Sequence, residues 1–301
     1  MAGHGAGTIV ASTHCSMAYR FWRRLVVAFA CGLSAGAGNA AASQRAGVDI
    51  CAPAAASRRL PVLPEASGAA LSRRTPGVIW SHNDSGQPFL YAFDTSGASR
   101  GRVRIPNATV VDWEDISVAA CPGGTCVYVA DIGDNNRARR SVTIYRVPEP
   151  RPQDTESAAA EIFTAVYPDG AHDAEALFVV GDDLFIVTKE AAATIYRFRK
   201  PLRAGTTMTL ERVAPLALRR VTDAETSSDG AWVAIRTNDA VVFYRSADLV
   251  RGKAQGVTMS LRSLKEAQGE GVALDAGGMV YLTGEGARAG SLNTLRCTLP
   301  K

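Results

Sequence analysis

The chain is short of the residues that most often mark catalysis. It has four histidines in 301 residues, and only His82 and His172 lie beyond residue 43. No cysteine pair stands near either at ligand spacing, which excludes an ordinary His/Cys zinc site. No P-loop and no H-E-x-x-H occurs. Net charge is also small: +4 falls to +1 once Arg20, Arg23 and Arg24 are set aside. Without a basic stripe, nucleic acid is excluded as a partner. Beyond residue 43 the chain lacks any convincing helical period, which rules out a helical solenoid.

Those three arginines belong to Met17–Ser43, MAYRFWRRLVVAFACGLSAGAGNAAAS. A basic start, an apolar core and a run of small residues read as a secretory signal peptide, too short to be a spanning helix. We assign residues 1–43 to it, with Met17 as an alternative start, and expect a secreted or periplasmic protein without a transmembrane anchor, working as a monomer. Cleavage removes Cys15 and Cys31 and leaves Cys51, Cys121, Cys126 and Cys297. An even number in an oxidising compartment implies two disulfides.

What is present is a repeat. A glutamate heads an apolar or small-residue run at Glu65, Glu114, Glu175, Glu225 and Glu270, at spacings of 49, 61, 50 and 45 residues. Each run is followed by a turn and a second apolar strand: GVIWSHND, TCVYVADIGDN, DLFIVTKE, AWVAIRTND and GMVYLTGEG. Third strands (PFLYAFD, VTIYRV, ATIYRF, AVVFYR) and weaker fourth strands follow in the first four units. A period near fifty with about four short strands per unit is the signature of a β-propeller. The reading is an all-β propeller of five four-stranded antiparallel blades over residues 65–301, with six blades as the alternative.

The fifth unit runs out of chain before a fourth strand. An open edge must be closed, so the segment 44–64 is expected to supply the missing outer strand. That places Cys51 beside Cys297, with Cys121–Cys126 stapling the second blade's hairpin; the alternating connectivity would contradict this closure.

In a propeller the first strand of each blade lines the central channel. Glu65, Glu114, Glu175, Glu225 and Glu270 are therefore expected as a ring at one mouth. Asp112, Asp173 and Asp223 stand two residues before three of them, and second-strand ends add His82, Asn83, Asp84, Asp134, Asn135 and Asp239. Converging carboxylates repel one another unless neutralised, and Ca²⁺ prefers such oxygen ligands. The other reading of the ring is architectural, each glutamate accepting backbone N–H groups. His82–Gly86 and the DIGDNN stretch are functional loops or ordinary turns. Lys189 and Arg236, at equivalent places in blades three and four, either hold an anionic ligand or pair with the acids.

The phrases GVIWSHNDSG, VDWEDI, YVADIGDN, TIYRVPEP, YPDGAHDAEAL and GEGVALDAGGMVYLTGEG resemble a group of secreted bacterial propeller proteins. More distantly the chain resembles calcium-dependent propeller hydrolases: the gluconolactonase-like group and the domain called esterase-like activity of phytase. Those families usually have six blades. The resemblance implies a channel-facing glutamate able to bind calcium, placed by the Glu-Gly-Val-Ala-Leu-Asp phrase at Glu270. The function expected is a Ca²⁺-dependent hydrolase of phosphoesters, lactones or esters. Its alternatives are a non-catalytic binding propeller and a glycosidase working through paired carboxylates.

Overall fold

The computed structural model describes residues 50–253 and 255–300; the signal peptide expected over residues 1–43 lies outside them. Within that range the chain forms five four-stranded antiparallel blades. A closing pair comes first, β1 (Cys51–Pro53) and β2 (Arg58–Leu60). Blade one is β3 (Ala66–Leu71), β4 (Val78–Asn83), β5 (Phe89–Asp94) and β6 (Ser99–Arg104). Blade two is β7 (Trp113–Cys121), β8 (Gly124–Asp131), β9 (Val142–Pro148) and β10 (Glu161–Val166). Blade three is β11 (Ala174–Val180), β12 (Asp183–Thr188), β13 (Thr194–Arg197) and, after the short β14 (Thr207–Thr209), β15 (Glu211–Pro215). Blade four is β16 (Val221–Thr226), β17 (Trp232–Thr237), β18 (Ala240–Arg245) and β19 (Gly256–Ser260). Blade five has β20 (Gln268–Leu274), β21 (Met279–Glu285) and β22 (Gly290–Cys297).

The fourth strand of blade five is β1, paired antiparallel to β22 with Cys51 opposite Cys297. Both expected disulfides are present, Cys51–Cys297 and Cys121–Cys126. The ring thus closes across 246 residues of sequence. The long interval before Glu175 holds no sixth blade. It is the loop between β9 and β10, part of which crosses to blade one where Arg104 bridges Glu156. One detail departs from the repeat: β14 leaves its own blade and pairs in parallel with β10 of blade two.

Burial follows strand position. The first two strands of each blade are apolar on both faces because each lies between neighbouring sheets, as in β11 and β12, where Phe178 stacks on Phe185 at 4.8 Å. The outer strands alternate, as the exposed–intermediate pattern of β19 shows. Trp80 and Trp113 are fully buried packing residues; Trp80 Nε1 donates to Glu149 Oε1 at 3.1 Å. Trp232 is partly buried under Arg245, whose guanidinium lies 4.2 Å from the indole centroid.

Candidate site at the channel mouth

Every first strand carries a bulge near its start, at Ala66/Ala69, Trp113/Asp115, Ala174/Ala176, Val221/Asp223 and Gly269/Val272. A bulge turns one residue and one N–H out of the ladder, and here both face the channel. The register makes Ser67, Glu114, Glu175, Thr222 and Glu270 equivalent, and after them Gly68, Asp115, Ala176, Asp223 and Gly271. The sequence phasing was therefore out of step in two blades. Three of the five expected glutamates, Glu114, Glu175 and Glu270, meet at the mouth. Glu65 precedes β3 on the exposed rim, where it accepts a 2.8 Å hydrogen bond from Ser85 Oγ. Glu225 lies deeper, accepting from Ser117 Oγ at 2.7 Å; burial pushes its carboxyl up to about 8.

The mouth is a small polar well of about 150 Å³ lined by Ser67, Asp84, Asp112, Glu114, Asn135, Glu175, Lys189, Gln268, Glu270 and Glu285. Six carboxylates thus share one opening with a single lysine. Burial and mutual repulsion raise the carboxyls. Glu114 is raised most, by burial and then by Glu175 and Asp112. Glu175 and Glu270 are raised by burial, with the lysine charge opposing. Asp84 and Asp112 move the same way. Glu285, pushed by burial and by Glu270, rises to about 7. Asp84 Oδ1 and Asn83 Oδ1 are buried without a hydrogen-bond partner. Gly133 brings the DIGDNN backbone against the acids, and a Cβ there would collide with Glu114 Oε1 and Asp112 Oδ2. Beside the well, a groove of about 330 Å³ runs between blades five and one along Pro64, Glu65, Gln268, Glu285 and Gly286.

Several expected residues lie elsewhere. His82 is fully buried against Trp113, and burial lowers it to about 4, so it is a neutral packing group. Asp134 caps its own turn, accepting from the amides of Ala138 and Arg139 at 2.9 and 2.8 Å. Asp173 accepts the Asp134 amide at 2.8 Å and so joins the loops of blades two and three. Asp239 is exposed, 3.6 Å from Arg262. Arg236 is fully buried: it donates to the carbonyls of Gly271 and Thr283 at 2.7 Å and to Glu266 at 2.5 Å, tying blade four to blade five. Breaking a buried pair leaves an uncompensated charge, at about 3–5 kcal/mol. Arg236→Met should therefore lower the denaturant midpoint by that equivalent; a loss under about 1 kcal/mol would contradict the tie.

Asp223 is the second member of a pair that the sequence reading overlooked. Asp115 and Asp223 lie on the channel axis just below the well, within hydrogen-bonding reach of each other. Asp115 accepts the amides of Ile116 and Leu177 at 2.5 Å and that of Ala224 at 3.3 Å. Asp223 Oδ2 accepts those of Ala69 at 3.1 Å and Val272 at 2.5 Å. Each blade thus gives one bulge amide to one of two carboxyls, and a Cβ on Gly68 would strike Asp115. Burial, and for Asp115 the facing charge of Asp223, raise both groups, so the pair holds one proton between them. Asp223 Oδ1 is fully buried and accepts from no other group, so it is the oxygen left to share that proton with Asp115. The signal was there: VDWED carries Asp115 beside Glu114, but only the bulge shows that it pairs with Asp223.

Gly97-Ala98-Ser99-Arg100-Gly101 matches the letters of a nucleophile elbow. It forms the turn into the outer strand β6, no helix follows, and Ser99 is exposed, so it lacks the strand–turn–helix setting that such a nucleophile needs. His172 lies outside the well, its ring nitrogens 3.0 Å from Glu190 and Asp169.

No protein-family model and no curated protein matches the chain. Among solved structures, the Malassezia sympodialis allergen Mala s 1 is similar at a TM-score of 0.52 and 11% identity, over 79% of this chain and 95% of that one. The apo-form soluble aldose sugar dehydrogenase of Escherichia coli gives 0.49 and 9%, over 81% and 99%. A gluconolactonase of Xanthomonas campestris gives 0.41 and 10%, over 81% and 95%. At such identities the likeness concerns fold alone.

Proposed function

We propose that the mouth is a Ca²⁺ site and that the protein is a secreted or periplasmic, monomeric Ca²⁺-dependent hydrolase of small esters, lactones or phosphoesters. The observation that carries this reading is the charge balance of the well, six carboxylates against one lysine. The donor set fits a hard cation: the oxygens are carboxylate, amide and one hydroxyl (Ser67), with Asp84 Oδ1 buried and unpartnered. Among the described residues no three acidic, His or Cys side chains already stand in a metal-binding group, so Glu114, Glu175 and Glu270 would have to turn inward. Bound calcium would polarise a carbonyl or phosphoryl oxygen. Glu285 stands where well and groove meet, and its proton affinity near pH 7 suits a general base or acid. The groove along Pro64, Gln268 and Gly286 would hold the rest of the substrate. The two disulfides support an oxidising compartment, and among the described residues no helix is long and apolar enough to cross a membrane.

The test is thermal unfolding in EDTA and in added Ca²⁺, run beside turnover of an aryl ester, a lactone and a phosphodiester. At a hundred times its dissociation constant, calcium should add about 2.7 kcal/mol. Glu270→Gln should abolish that gain, and Glu285→Gln should remove turnover while keeping it. An unfolding temperature indifferent to calcium would return the mouth to architecture.

A further inference from the structure

We propose that Lys189 is a tethered counter-ion, an ammonium that holds the metal position of the mouth and must swing out before a divalent cation can enter. The inference rests on the calcium reading above and concerns how that site is regulated.

Four observations point to it. Among the described residues, Lys189 is the only cationic side chain lining the well. The neighbouring arginines are engaged elsewhere: Arg139 with Asp131 at 2.7 Å, Arg137 with Glu190 at 3.4 Å, and Arg236 with Glu266. The Lys189 ammonium pairs directly with Glu175, and its charge is felt at Glu114, Glu270 and Glu285 as well. It therefore serves the acids that calcium would need. Its backbone is pinned, the amide donating to Asp173 O at 3.0 Å and the carbonyl accepting from Arg220 at 3.2 Å.

The side chain, by contrast, is free to leave. It is 35% exposed and its ammonium has one hydrogen-bonding partner, whereas the guanidinium of Arg236 is fully buried with three. A lysine is a point charge on a flexible stem, without the fixed fork that locks an arginine in place. A well of about 150 Å³ brings an ammonium and a divalent ion close enough to repel strongly. Binding calcium at Glu175 therefore means displacing Lys189. The lysine keeps the acid cluster folded without metal, and it sets a threshold below which calcium does not load.

Calcium titration by calorimetry of the full mature protein decides the matter, with wild type, Lys189→Met and Lys189→Arg compared. Lys189→Met should bind calcium at least tenfold more tightly than wild type, and in EDTA it should unfold at a lower temperature. Lys189→Arg, which keeps the charge, should not share the gain. If Lys189→Met folds only with calcium present, that too supports the proposal. Should it not fold at all, the ¹⁵Nζ resonance of Lys189 in wild type substitutes: it should move on saturation with calcium, and a resonance that stays put overturns the proposal. Equal or weaker calcium binding in Lys189→Met overturns the counter-ion role and leaves the calcium reading intact. No calcium binding in any of the three removes both.

Discussion

Replacing Cys51 and Cys297 by serine should cost the protein about 5 kcal/mol, while replacing Cys121 and Cys126 should cost about 2. The difference follows from loop length, since the two bonds close 246 and 5 residues. In the chain-entropy account a crosslink acts on the unfolded state, and a bond joining the ends of the propeller restricts that state most. The native ring should persist without it: β1 and β2 still pair with β22, and Ala54 N donates to Thr294 O at 2.8 Å. Hydrogen exchange should then show β1 and β22 opening first, because an edge strand is the least secured part of a ring. Urea unfolding of the two double variants, extrapolated to zero denaturant with the larger m-value expected of the less restricted unfolded chain, checks the ordering. Equal losses would mean that closure rests on strand pairing and not on the bond.

The aspartate pair on the axis gives the second large effect, and its sign depends on pH. A carboxyl raised in the folded state contributes stability that is complete below its unfolded value near 4 and is lost as pH rises through the folded value. For Asp223 the loss runs up to about pH 7, at about 1.4 kcal/mol per pH unit for the extra proton, and Asp115, raised further by burial and by the facing charge of Asp223, extends it to higher pH. Asp223→Asn should remove the loss. Its amide nitrogen supplies at the Oδ1 position the hydrogen that the pair otherwise shares and donates it to Asp115, while its oxygen still accepts from Ala69 and Val272. We expect this variant within about 1 kcal/mol of wild type at pH 5 and more stable at pH 8, each lost buried hydrogen bond being worth about 1 kcal/mol. Asp115→Asn should behave oppositely. It turns an amide donor toward the N–H groups of Ile116, Leu177 and Ala224, and orphaned buried donors cost about 1–3 kcal/mol each. Denaturant titrations of both variants at pH 5 and pH 8 read this out. Equal destabilisation of the two at both values would show that the pair carries no shared proton.

Glu114, Glu175 and Glu270 are legible as mouth residues because each stands second or third in its first strand and heads a clear apolar run. Glu65 and Glu225 were misplaced for a definite reason: a bulge shifts the inward phase of a strand by one residue, and letter spacing does not show where it falls. The pattern Asp-x-Glu groups Asp223 with Asp112 and Asp173, whereas register puts it level with Asp115. The expected equivalence of Lys189 and Arg236 fails: register puts Arg236 level with Val187 and Lys189 level with Asn238, two positions further along, and the two differ in fate. Blade five offers Arg236 two carbonyls and Glu266, while Lys189 opens onto the well.

By itself the sequence determined the repeat and pointed to five blades, a closing strand and the two disulfides, with six blades left as the alternative until the structure closed the ring. Each follows from local alternation, period and the count of strands the chain can supply. Only the tertiary structure decided which acids meet. The channel gathers one short stretch from each of five distant blades, and which side chains face its axis depends on five bulges and on close approaches at Gly68 and Gly133. Convergence of that kind is a property of the closed ring, and no segment carries it alone.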